Sequence, residues 1–210
     1  MREILPGVFI VPQNGNKGFG YSHFVRRQAG NVILDAMRNT SLSDSFAAFE
    51  AEGGVRAAVI SDRHLGGVST NQIAERFGAT IYCSAIEAGA MGHRTNRVRI
   101  DRALPFEPTI IERDVQLIPT PGHTPGQFST LVEVEGRRVL FTADFVYRSG
   151  DGWRPGNLSR RKMLKSFESL RDLRFDHVVP CTSYARDEFF VPIGSVDSAV
   201  DEMIAACTKP

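Results

Sequence analysis

Among the residues of this chain that can bind a metal ion or carry a proton near neutral pH are its five histidines, and one has a distinctive setting. His123 lies in Pro121-Gly122-His123-Thr124-Pro125-Gly126, where proline and glycine on both sides fix the backbone around a single imidazole. Such a histidine is either a loop residue kept for turn geometry or a functional group presented in one direction. A second stretch, Ser61-Asp62-Arg63-His64-Leu65-Gly66-Gly67, sets an acid, a base and an imidazole side by side before a glycine pair. A third, Phe141-Thr142-Ala143-Asp144, ends an apolar run on a carboxylate. That carboxylate can act chemically or cap the turn that follows.

The surroundings are those of a globular protein. With 210 residues the chain is long for one small domain and short for two, and 42% hydrophobic content is enough for a real core. A single domain over residues 1–210 is the expectation. The 25 basic residues nearly cancel the 24 acidic ones, so neither nucleic acid nor an anionic membrane is expected as a partner. Cys83, Cys181 and Cys207 are odd in number and far apart, which points away from a disulfide framework and toward a cytoplasmic, reducing setting. The apolar run Ile4–Val11 is broken by Pro6 and Gly7 and reads as a strand rather than a signal peptide. No apolar stretch approaches the ~18 residues of a membrane helix.

Strand and helix signals alternate along the chain. Val8–Val11, Tyr21–Arg26 and Asn31–Asp35 read as short strands. Ser43–Glu52 carries Phe46, Ala47 and Phe49 and reads as a helix ended by Gly53-Gly54. Ala57–Ile60 is a buried strand that delivers the chain to the Ser61–Gly67 loop. Ser69-Thr70-Asn71-Gln72 fits a capping box for a helix with Ile73, Ala74 and Phe77 on its apolar face, and Ala79–Tyr82 is a further strand. Asp114–Pro119, Phe128–Val134 and Arg138–Thr142 read as strands, the last two joined through Glu135-Gly136. Helices over Ser159–Leu173 and Ser195–Ala206 flank a short strand, His177–Pro180. Tyr147–Asn157 reads as a loop of about a dozen residues, a length that is often functional. Strands in two groups with helices between and after them fit an α/β, four-layer αββα sandwich, two sheets face to face with helices outside.

Taken in order, Asp35 after its strand, the Ser61–Gly67 loop, the Pro121–Gly126 turn, the hairpin, Asp144 and Val178-Val179-Pro180 resemble the metallo-β-lactamase superfamily over nearly the whole chain, as a divergent member. The resemblance implies an active site at the sheet edge where these loops converge. It implies one or two metal ions that activate a water for hydrolysis of esters, thioesters, lactams or phosphoesters; a subset of the family uses a single iron for oxygen chemistry.

Under that resemblance His123 matches the histidine that follows Pro-Gly, and Asp144 matches the aspartate that bridges metals in many relatives. The family pattern Thr-His-x-His-x-Asp-His-x-Gly-Gly fits Ser61–Gly67 in two registers. Counted from the end of the Ala57–Ile60 strand, Asp62 takes the first histidine's place and His64 the second's, while Gly66 and Gly67 replace the aspartate and the last histidine. Counted back from Gly66-Gly67, His64 becomes the last histidine, Arg63 replaces the aspartate, and Val59 and Ser61 stand at the first two positions. The first register keeps the apolar strand running up to the loop and is favoured. The final ligand position falls on Thr182; the adjacent Cys181 is either a thiolate ligand or an inert buried thiol. His23, His93 and His177 match no ligand position.

The resemblance thus implies a degenerate metal site of Asp62, His64, His123 and Asp144, with Asp62 and Asp144 as its catalytic carboxylates. That set suits one zinc, manganese or iron ion, or none is bound. Tyr147, Trp153 and Arg154, with Thr182 and Tyr184, are the candidates for contact with a small-molecule ligand or substrate, since aromatic and guanidinium groups grip anionic or planar molecules. The plainer alternative is a solvated loop with Trp153 as its anchor. The loop aspartate that orients the water in relatives is absent, and general-base help of that type is worth roughly 10²–10⁴ in rate. Three functions stay open: a mononuclear hydrolase of a small ester, thioester or lactone; a metal-free member that binds a ligand or protein; and a mononuclear iron oxygenase. A homo-oligomer is compatible with each.

Overall fold

Short apolar runs separated by glycine turns leave little choice but strands, and the computed structural model places them in two large sheets and a separate two-stranded one. It describes residues 1–11, 21–36, 41–92, 98–150, 152–156, 159–180 and 189–208. The chain divides into two units, Met1–Phe106 and Glu107–Pro210.

In the first unit, β1 (Arg2–Leu5), β2 (Val8–Val11), β3 (Ser22–Val25) and β4 (Val32–Leu34) pair antiparallel in chain order. The sheet continues parallel, through α1 (Phe46–Ala51) to β5 (Ala57–Ile60), through α2 (Val68–Phe77) to β6 (Thr80–Ser84), and through α3 (Ala85–Met91) to β7 (Arg102–Leu104). All four residues of β5 are buried, as a central parallel strand covered on both faces requires. The helices grip the sheet through aromatic rings. Phe49 of α1 stacks on Phe24 of β3 with centroids 5.3 Å apart, and Phe46 meets Phe77 of α2 edge-on at 5.4 Å. Gly53 and Gly54, at φ 92° and 84°, end the first helix as its sequence predicts.

The start of α2 differs from the expectation. The helix begins at Val68 behind Gly67, and Ser69 lies inside its first turn. Glycine has no side chain to cap with, so Thr70 reaches back instead: its Oγ1 accepts the Gly67 N–H at 2.8 Å. The helix α3 and the strands β1 and β7 had no clear periodic signal; β7 is largely exposed and α3 carries Gly89 in its interior.

In the second unit, β8 (Thr109–Ile111), β9 (Val115–Pro119), β10 (Phe128–Val134) and β11 (Arg137–Ala143) form an antiparallel meander. Glu135 and Gly136, at φ 49° and 73°, make the two-residue turn of the β10–β11 hairpin. The chain then forms a small hairpin, β12 (Val146–Ser149) and β13 (Gly152–Pro155), and runs through α4 (Arg160–Ser169) to β14 (His177–Pro180), which pairs parallel with β11. Strand β15 (Val191–Pro192) closes that edge, and α5 (Val196–Thr208) follows. The hairpin corrects the expected loop over Tyr147–Asn157: Tyr147 pairs with Arg154 and Arg148 with Trp153 around a turn at Gly150, φ 61°. Polar residues mask the alternation that buries Trp153 and exposes Arg154. Trp153 joins Met163, Phe167 and Leu170, Val200 and Met203, and Leu131, Leu140 and Val178 in one buried cluster. Fully burying a side chain of this size is worth about 1.5–3 kcal/mol.

Among the described residues, no helix is long and apolar enough to cross a membrane. Cys83 and Cys207 are free and buried, and burial pushes both thiols up. Cys181 lies outside the described residues.

Candidate metal centre

The Asp62–His64 pair is presented by the end of β5. The carboxylate of Asp35, itself at φ 57°, receives the Ser61 N–H at 3.1 Å and fixes the point where the strand becomes the loop. An aspartate tolerates that left-handed backbone better than most residues. Asp62 is fully buried, and its Oδ1 accepts the His64 N–H at 2.7 Å, a local turn that folds the loop back on itself. The same oxygen lies 3.6 Å from His64 Nδ1, and the imidazole is half-exposed. Arg63, between them, goes elsewhere. Its Nε and Nη2 donate to the carboxylate of Glu87 at 2.7 and 2.9 Å, which holds the guanidinium above its usual range. Gly66 follows at φ 73°, its N–H on the Ala36 carbonyl at 2.8 Å. A Cβ added there would stand 2.6 Å from Ile60 Cδ1 and 3.0 Å from Cγ1, so the buried Ile60 side chain occupies the space a ligand at 66 would need.

The His123–Asp144 pair is built by the second unit. In the turn Pro121–Gly126, Gly122 packs so tightly on α4 that a Cβ would lie 3.0 Å from Met163 Cα, and Ser166 Oγ donates to the Pro121 carbonyl at 2.8 Å. His123 Nδ1 is 2.9 Å from the Gly156 carbonyl. A carbonyl only accepts, so Nδ1 is the donor in this contact, and in the neutral tautomer the lone pair then lies on Nε2. Nε2 lies 3.8 Å from Asp144 Oδ2, with both side chains partly buried. Asp144 follows a β-bulge at the end of β11, where Ala143 sits at φ 48°. Such left-handed backbone is costly for a residue with a Cβ and is concentrated at functional sites.

Each unit thus presents one imidazole beside one carboxylate: Asp62 with His64 in the first, and His123 with Asp144 in the second. The other candidates have different settings. Trp153 is buried and its indole N–H donates to Glu202 at 3.1 Å; with Arg148, whose guanidinium sits 6.0 Å over the ring, it lines a cavity of about 370 Å³ beside Ser195 and Val191. Tyr147 is half-buried and faces Arg154 across the hairpin. Thr182 and Tyr184 lie outside the described residues, as does His93. His23 is buried and held neutral, its pKa lowered to about 3 by burial, and burial also lowers His177. The sequence reading passed over Gly156 and Glu87. No ligand motif includes either, although Ser84-Ala85-Ile86-Glu87 has the form of a helix cap, a signal that could have drawn attention to Glu87.

Comparison with known proteins bears directly on this arrangement. A family model described as the metallo-beta-lactamase superfamily matches residues 15–182, and the chain belongs to that superfamily. Solved structures agree on the fold. A metallo-beta-lactamase from Pontibacter korlensis is 13% identical with a TM-score of 0.73, covering 100% of this chain and 98% of its own. A Cronobacter sakazakii metallo-beta-lactamase with a HARLDQ motif is 20% identical with a TM-score of 0.65, covering 97% and 90%. A B3 metallo-beta-lactamase described as having an active-site glutamic acid is 17% identical with a TM-score of 0.66, covering 97% and 86%. No curated protein sequence matches the chain.

Proposed function

We propose that this chain is a mononuclear metallohydrolase acting on a small ester, thioester or lactone. The observation that carries the reading is that each unit of this superfamily member presents an imidazole beside a carboxylate, Asp62 with His64 at 3.6 Å and His123 with Asp144 at 3.8 Å. The donor set fits zinc, manganese or iron. The hydrogen bond from His123 Nδ1 to Gly156 adds to the fit, because a ligating histidine usually donates its other N–H to such a partner. When bound, an ion of this type supplies Lewis acidity and brings a coordinated water toward a pKa of about 7.

The protein's own groups do the rest. Asp62, fully buried, is the carboxylate donor that would offset the charge of a bound ion. Its hydrogen bond from the His64 N–H holds the turn from which both ligands project. Asp144 is the partly exposed carboxylate, so its oxygen beside His123 Nε2 is the one suited to take the proton a nucleophilic water releases.

A second reading, a metal-free member that binds a ligand or partner, is favoured by one feature. Gly66 stands where the favoured register puts the family's loop aspartate, and Ile60 fills the space beside it. Metal content, measured on protein purified without chelator and on His123→Ala, separates the two. About one equivalent of zinc, manganese or iron, lost in the variant, is the expected result, followed by esterase and thioesterase assays. No metal after incubation with excess zinc or iron would leave the binding-protein reading.

A further inference from the structure

Glu87 is the most demanding carboxylate in the first unit. It is fully buried, at the third position of α3, and a buried charge persists only where it is paired and hydrogen-bonded. Arg63 alone supplies three donors: its backbone N–H and Nε reach Glu87 Oε2 at 2.8 and 2.7 Å, and Nη2 reaches Oε1 at 2.9 Å. The sequence Ser84-Ala85-Ile86-Glu87 would let the glutamate return to the Ser84 N–H as a capping box. Only half of that box involves Glu87 here: Ser84 Oγ accepts the Glu87 N–H at 3.1 Å, while the carboxylate is turned to Arg63.

The target of this grip is the residue between two proposed ligands. Main chain and side chain of Arg63 are fixed together by one rigid, buried group. Rotation of the Arg63 peptide would break the backbone bond to Glu87, and it would swing Asp62 and His64 apart. With Asp35 holding the Ser61 N–H, two buried carboxylates bracket the turn. On the metal-site reading given above, we propose that Glu87 and Arg63 are positioning residues, holding the Asp62-Arg63-His64 turn in the conformation in which both ligand side chains meet one ion. Neither touches the ion or the substrate. Outer groups that orient metal ligands are typically worth 10–100-fold in metal affinity.

The test is zinc affinity by competition with a chromophoric chelator, with the visible spectrum of the cobalt-loaded protein, for wild type, Glu87→Gln and Arg63→Lys. Glutamine keeps the shape but loses the charge and one acceptor; lysine keeps the charge and the backbone donor but not the fork. The expected result is about one equivalent bound by wild type, roughly 10–100-fold weaker zinc binding by Glu87→Gln, a smaller loss in Arg63→Lys, and an altered cobalt spectrum in both. Wild-type affinity and spectrum in both variants, with only the melting temperature lowered, would overturn the positioning role and leave the metal site standing. If Glu87→Gln fails to fold, Arg63→Lys decides on the same two readouts. No ion bound by wild type removes the functional reading itself, and this proposal with it.

Discussion

Burial divides His23 and His123 into different chemistries. His23 sits on β3 at 2% exposure, and burial lowers its pKa to about 3, so the folded protein keeps it neutral while the unfolded chain protonates it near 6.5. Its contribution to stability is therefore complete above about pH 6.5 and is lost as the pH falls toward 3, at about 1.4 kcal/mol per pH unit. Urea unfolding at pH 7 and pH 5 should show wild type losing about 2 kcal/mol more than His23→Leu. Equal losses in the two proteins would refute this account. The composition of the chain could not separate these imidazoles. The Pro-Gly frame of His123 is local and legible, whereas the burial of His23 depends on the strands β2 and β4 on either side of it. Arg63 is a similar case: its position in the loop is plain in the sequence, but its partner Glu87 is 24 residues away.

At the scale of elements, the hairpin β12–β13 matters most for the site, because it delivers Gly156. That residue donates its N–H to the Phe145 carbonyl at 2.9 Å, and its own carbonyl accepts His123 Nδ1. A Cβ on Gly156 would lie 1.8 Å from the Asp144 carbonyl oxygen and 3.1 Å from His123 Nδ1. Gly156→Ala must therefore push the hairpin away from both residues. We expect it to cost about 1–3 kcal/mol in stability and to abolish tight metal binding, read by urea unfolding and chelator competition. Retention of wild-type metal affinity would mean the hairpin does not set His123. Strands with strong alternation or full burial, such as β5 and β10, were legible from the sequence with the same bounds. The hairpin was not, because Arg148, Arg154 and Gly150 give it the composition of a loop, and its buried apolar side chains are Val146 and Trp153. The cap of α2 was misplaced for a related reason: a serine-threonine pair looks like a cap wherever it stands, and the working hydroxyl lies inside the helix.

For the whole molecule, a ligand bound only by the folded state adds stability by mass action. At a hundred times its dissociation constant that addition is about 2.7 kcal/mol. Zinc should accordingly raise the melting temperature of wild type by several degrees and leave His123→Ala nearly unmoved. An equal shift in both would point to binding away from His123. The superfamily was legible from the order of motifs along the chain, but the ligand register was not. That register depends on where β5 stops, and the glycine pair that could anchor the count serves a different purpose here, Gly66 in a left-handed turn and Gly67 ahead of α2.

The contact between Ile60 and the empty side of Gly66 also bears on how this protein can change over generations. A single substitution at 66 that supplies a carboxylate or imidazole meets a filled space and an unfavourable φ, so it damages the fold before any second ion can repay the loss. Trimming Ile60 alone opens a hole in the first unit and brings no benefit. A larger residue at 66 is therefore expected to need a smaller one at 60 as well, so the two positions should change together or not at all.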